Sequence, residues 1–127
     1  MHVITESKEL SFTDLKIRVM EGKDVLGKYS LYPYRPWNGW KKKQETYHYA
    51  DKDFFSYKQG CGVPRMLIRT ASSLLQDISD ILDSEVVHQA NFLTPGSQKK
   101  LPHIFEDHGY ELFDNVAIRI YTTRKTF

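Results

Sequence analysis

The segment Tyr57-Lys58-Gln59-Gly60-Cys61-Gly62 stands directly before an apolar run of helical period, and no other stretch of this sequence is as well suited to chemistry. Two glycines one residue apart let a main chain approach a ligand closely. The free N–H groups at the start of the following helix, with the positive end of its dipole, favour an anion such as a pyrophosphate. A tight strand-to-helix turn would use the same residues with no ligand at all. Cys61 lies where a helix start can make a thiol more acidic, although packing within the loop is the better account of it. His103-Ile104-Phe105-Glu106-Asp107-His108 superficially resembles a zinc-protease helix. Histidines five apart do not share a helix face, so no metal site is expected there. Asp77, Asp80, Asp83 and Glu85 read as the solvated side of a helix.

Composition bounds what these residues can belong to. The 127 residues, 40% hydrophobic and 27% charged, suit one folded domain spanning 1–127 and neither a disordered tail nor two cores. A formal net charge of +2 falls short of the cationic field that marks a nucleic-acid binder. Cys61 is the single cysteine, which precludes an intrachain disulfide and implies a reducing compartment. Neither a signal core in the first residues nor an apolar run of membrane-spanning length is present, so a cytoplasmic location is the expectation.

The elements that must position the glycine segment follow from hydrophobic period. Lys16–Met20 and Val25–Tyr32 alternate polar and apolar about a turn at Glu21-Gly22-Lys23-Asp24, which predicts a hairpin. Asn38-Gly39 predicts a second turn, with a returning strand from about Trp40 to Ala50. Leu67, Ala71, Leu74, Leu75, Ile78, Ile81 and Leu82 form one helical stripe, with Pro64 in the first turn. Glu85–Leu93 reads as a strand, Thr94–Ser97 as a turn into a helix that ends before Gly109, and Val116–Tyr121 as a closing strand. Pro102 must open that helix or kink it. The order predicts a mixed sheet with helices packed on it.

Strand, glycine loop and helix in this order resemble motif A of the GNAT superfamily of acyl-CoA N-acyltransferases. That loop reads Arg/Gln-x-x-Gly-x-Gly/Ala, and Gly60 and Gly62 fill both glycine positions. Phe105-Glu106-Asp107-His108-Gly109-Tyr110 is similar to the family's late signature, and the resemblance covers about Lys16 to Tyr121. It implies an α/β (α+β) fold: a mixed, mostly antiparallel sheet flanked by helices, here with a reduced N-terminal helical region, since only about residues 5–15 separate the first two strands. It further implies acetyl-CoA or another acyl-CoA as co-substrate, held by Tyr57, Lys58, Gln59, Gly60, Cys61, Gly62 and Val63, and an amine acceptor. Main-chain N–H groups of splayed strands would stabilise the oxyanion. The expected general base is Glu45, close to where some relatives carry a glutamate, with His48 second. Three residues apart on a strand, these two cannot both face one cleft.

Tyr57 occupies the position usually held by Arg or Gln, leaving Lys58 or Gln59 to supply that phosphate contact. Phe105 stands where many relatives have a tyrosine that protonates the departing thiolate, and a phenyl ring donates no proton. Such a thiolate, with a reference pKa of about 8.5, leaves tolerably without acid help. A different class of function follows from Tyr29, Tyr32, Tyr34, Arg35, Trp37, Trp40, Lys41, Lys42, Lys43, Tyr47 and Tyr49. Aromatic residues among cations suit a homodimer or a protein partner, on a scaffold of this kind without catalysis, and less readily nucleic acid. Core packing explains many of them.

Overall fold

Leu15, Ile17 and Val19 are fully buried while Lys16 between them is exposed, so the two-residue period of this strand becomes one core face and one open face. The computed structural model describes residues 1–5, 14–34, 46–57 and 62–124. Within them the order is β1 (His2–Thr5), β2 (Leu15–Glu21), β3 (Asp24–Tyr34), β4 (Thr46–Ser56), α1 (Val63–Leu82), β5 (Glu85–Asn91), α2 (Pro95–Lys100), α3 (Pro102–Asp107), β6 (Glu111–Phe113) and β7 (Val116–Tyr121). The strands form one sheet in the order β1-β2-β3-β4-β5-β7-β6. Every neighbouring pair is antiparallel except β4 and β5. A parallel pair needs a crossover, and α1 supplies it. The fold class expected from the sequence is therefore the one observed.

The β2–β3 hairpin turns where predicted, at Gly22, whose φ of 60° favours glycine. The next strand differs from expectation: β4 runs on past Ala50 to Ser56, because a register shift at Ser30/Leu31 lets it keep pairing with β3. The Asn38-Gly39 turn lies outside the described residues. The predicted α1 stripe is buried at Leu67, Ala71, Leu75 and Ile78, and Val63, Ile68 and Ser79 join it. Ile81 departs from it, at 55% exposure: at the stripe's edge it turns to solvent, while Leu82 beside it packs against the core. The single helix expected before Gly109 is two short ones, with Thr94 capping α2 through its side chain and Pro102 opening α3. A proline that cannot donate an N–H breaks the ladder between them. The short strand β6 carries no alternation long enough to register in the sequence.

One glycine fixes α1 on the sheet. A Cβ at Gly27 of β3 would lie 2.4 Å from Val63 Cγ1 and 3.1 Å from the Phe55 carbonyl oxygen. Only a residue without a side chain lets the first turn of α1 sit this close to β3.

Candidate active site

The parallel pairing of β4 with β5 runs from Thr46↔Glu85 to Ala50↔Gln89 and stops there. Past that rung β4 keeps only β3 as a partner, as far as Ser56↔Gly27, while β5 keeps β7 to Asn91↔Val116. The two central strands thus part, and alternate main-chain N–H groups of the freed β4 edge lose a strand partner. Beside the opening lies a groove of about 510 Å³ lined by Phe54 and Ser56 of β4, Pro64 of α1, and Thr94, Gly96, Ser97, Lys100, Leu101 and Ile104 around α2 and α3.

The first turn of α1 forms one wall of this groove. Gly62 precedes it with φ 72° and ψ 16°, and no side chain among the described residues caps it. A Cβ on Gly62 would meet nothing within 4 Å. Its left-handed backbone, not crowding, is what selects glycine. No acidic residue sits in the first turn, so the positive end of the helix dipole is not offset from within.

The structure separates the residues expected from the sequence. Glu45, Lys58, Gln59, Gly60 and Cys61 lie outside the described residues, as do Arg35, Trp37, Trp40, Lys41, Lys42 and Lys43. Gly62 is the N-cap of α1, two residues before Pro64, which lines the groove. Val63 is buried against Gly27, which leaves only its main chain to face a ligand. Tyr57 is 62% exposed and stacks on Phe55 with centroids 6.0 Å apart and planes 6° apart. It lines a different pocket, of about 400 Å³, with Lys16, Arg18, Lys28 and Lys52 on the sheet face away from α1. His48 pairs with Tyr34 across β3–β4, its ring 5.4 Å from the tyrosine ring, and partial burial pushes its pKa down. Strand alternation aims it opposite to Tyr49, a core residue. Of the aromatic set, Tyr29 and Tyr49 are core, Tyr47 packs against it and Tyr32 is exposed. Among the described residues no three His, Cys, Asp or Glu side chains converge as metal ligands, and no helix is long and apolar enough to cross a membrane.

A polar chain that the sequence reading passed over runs through the core behind the groove. Tyr29 OH donates to Asp51 Oδ1 at 2.6 Å, and His88 Nε2 lies 2.8 Å from the same oxygen. His88 Nδ1 is 2.5 Å from Tyr110 OH, which is 2.6 Å from Tyr121 OH. Tyr121 OH reaches Ser72 Oγ at 3.1 Å, and Arg119 completes the outer end against Ser72 and the His108 carbonyl. His88 is fully buried, and the Asp51 side chain keeps 20% exposure. Burial pushes the Tyr29 and Tyr110 hydroxyls well above their ordinary pKa and raises that of Tyr121, so all three hold their protons. A signal was available: Val86, His88 and Ala90 share one strand face, as do Tyr47, Tyr49 and Asp51.

Phe105 is 1% exposed, with its ring against His88, Phe92 and Tyr110. It is part of the wall that seals this chain. Gly109 after it, at φ 84°, turns the backbone so that Tyr110 points inward.

The sequence itself matches no family model and no curated protein. The fold does match solved structures. A mutant of the AtaT toxin bound to the C-terminus of the antitoxin AtaR and acetyl-CoA aligns with TM-score 0.62 and 14% identity, over 84% of this chain and 68% of that one. A putative acetyltransferase of the GNAT family from Desulfovibrio desulfuricans aligns at 0.53 and 12% identity, over 87% of this chain and 69% of that one. An aminoglycoside 6'-N-acetyltransferase from Enterococcus faecium aligns at 0.53 and 10% identity, over 89% and 77%. The chain spans 66% to 68% of the AtaT chains' length. The protein has the GNAT acyltransferase fold.

Proposed function

We propose that this protein is an acyl-CoA-dependent N-acyltransferase that transfers an acetyl or other acyl group to an amine. The observation that carries the reading is the parting of β4 from β5 after Ala50 and Gln89 beside an open groove. That geometry suits an extended thioester lying along the freed β4 edge, whose N–H groups are aligned for a carbonyl that gains negative charge. The groove leads to the start of α1, where Gly60 and Gly62 and the neighbouring main-chain amides would take the diphosphate. Lys58, Gln59 and Lys100 would supply cations or donors near it, and Tyr57 and Cys61 only backbone. In the reaction the amine lone pair forms the C–N bond, the C–S bond breaks with its electrons on sulfur, and the amine proton passes to a base. Glu45 is the first candidate for that base; His48, the second, is turned from the core face by strand alternation.

Thermal denaturation with and without acetyl-CoA tests the reading, because a ligand bound to the folded state alone raises the melting temperature. A shift is expected in the wild type and its loss in Gly62→Glu, whose carboxylate would oppose the diphosphate. An unshifted wild type would refute the reading. A second reading, a scaffold of this fold that binds without transfer, is favoured by Phe105 in the tyrosine position. As a protein-interaction module it predicts no shift, and a stable partner or homodimer.

A further inference from the structure

The pocket of about 400 Å³ on the sheet face away from α1 has no part in the acyltransferase reading. Lys16 and Arg18 of β2, Lys28 of β3 and Lys52 of β4 bring four cations to it, against one carboxylate, Asp53. Ser30 of β3 lines it at 3% exposure, which places a hydroxyl at the floor. Tyr57, mostly exposed, stands at the rim, backed by the near-parallel ring of Phe55. We propose that this pocket binds a nucleoside polyphosphate, with the phosphates among the cations and the base on Tyr57.

Two irregular strands shape the pocket. In β4, Asp51 faces Leu31 and Asp53 faces Ser30, so Lys52 between them is the extra residue of a bulge. Two consecutive side chains, Lys52 and Asp53, therefore line one pocket, which regular alternation would forbid. In β3, Gly27 faces Val19 and Val25 faces Met20. Leu26 is the extra residue there, and it stays buried while Val25 reaches the pocket. Bulges bend a strand and sharpen its twist, and these two flank the concavity.

The charges lack a counterpart. Arg18 lies directly opposite Lys28, and like charges so placed repel. Lys16, Lys28 and Lys52 make no ion pair among the described residues. A bound polyanion would turn that repulsion into attraction. The three strands that supply the cations span about 10 Å, which suits a short chain of phosphates. An aromatic face beside cations accepts a base, and Asp53 is an acceptor for a ribose hydroxyl or a ring amino group. An inorganic polyphosphate would use neither. A nucleic-acid strand fits less well, because it needs cations that continue along its backbone. Here they end at the β2–β3 turn, where Glu21 faces Asp24, and beyond β4 the same face is apolar at Val87 and Ile120.

Titration calorimetry of the full chain tests the site with ATP, UTP, tripolyphosphate and single-stranded oligouridylates of several lengths. Both nucleotides are expected to bind about tenfold more tightly than tripolyphosphate, the difference being the stacked base. The Lys16→Gln/Lys28→Gln double variant keeps the side-chain stems and is expected to weaken ATP about tenfold or more through the lost charged contacts. Lys52→Gln, on the exposed bulge, should weaken it in the same direction and serves if the double variant does not fold. Tyr57→Ala is expected to erase the preference for ATP over tripolyphosphate. Acetyl-CoA added in excess should leave ATP binding intact, and the acetyl-CoA melting shift should persist in the double lysine variant. Displacement of ATP by acetyl-CoA would assign the nucleotide to the groove beside α1 and overturn the proposal. So would the absence of any heat with ATP, undiminished binding in the lysine variants, tripolyphosphate equal to ATP, or an affinity for oligouridylate that grows with length past that for ATP. A wild type that binds ATP but not acetyl-CoA would refute the acyltransferase reading and leave this site standing.

Discussion

Asp51 on β4 and His88 on β5 meet at 2.8 Å, Oδ1 to Nε2, at the level where these two parallel strands stop pairing. The ring is fully buried and the carboxylate is not. The contact holds β4 against β5 at the point where their main-chain pairing ends. An unpartnered buried imidazole would cost roughly 1–3 kcal/mol, and the chain of hydroxyls behind it removes that cost.

The approach of β3 to α1 should be intolerant of a methyl group. Gly27→Ala places a Cβ 2.4 Å from Val63 Cγ1 and is expected to destabilise the fold by about 1–3 kcal/mol. Because Val63 opens α1, the acetyl-CoA melting shift should shrink as well. Urea unfolding measures the first effect; an unchanged midpoint would mean that the first turn yields freely.

Phe105→Tyr restores the residue many relatives carry, and it should not gain activity. The ring lies within the core against His88, Phe92 and Tyr110, so a new hydroxyl has no solvent to reach. A loss of about 1–3 kcal/mol is expected unless the hydroxyl finds a partner. A rise in kcat would place position 105 at the thiolate instead.

His48 gives a pH dependence whose sign is fixed by its environment. Partial burial holds its pKa below the ordinary 6.5, so the unfolded chain binds more protons as pH falls through that value. Stability from this site therefore declines with acidification below 6.5 and is indifferent above it. His48→Gln should flatten the decline seen by chemical denaturation at a series of pH values. The acyl-transfer profile should not move, since strand alternation turns this ring from the core face. A shifted profile would return His48 to the proton route.

Much of the fold was legible because it is local. Alternation at Lys16–Met20 predicted β2, Gly22 its turn, and the stripe from Leu67 to Ile78 the buried face of α1. Where an element depended on a neighbour the reading fell short. Nothing between Ala50 and Ser56 shows that β4 continues, because the register shift that keeps it on β3 is a property of the pair. Ile81 fits the stripe by period, and only the way α1 packs on the sheet decides that this edge of the stripe is exposed. The break at Pro102 was foreseen as one of two outcomes; the side-chain cap at Thr94 and the proline together selected the split.

The site divides along the same line. The residue order by itself determined that a glycine pair precedes a long amphipathic helix, that one cysteine forms no disulfide within the chain, and that strands and helices alternate as a GNAT-like sheet requires. These follow from backbone freedom, redox chemistry and hydrophobic period, each acting over a few neighbouring residues. Tertiary structure alone decided that Tyr57 turns to the far face, that Phe105 is sealed in the core, and that Asp51 and His88, 37 residues apart, share a hydrogen bond. The register of a parallel pair, set by the crossover helix that joins it, brings those two together. No pattern within either strand encodes which rung will be the last.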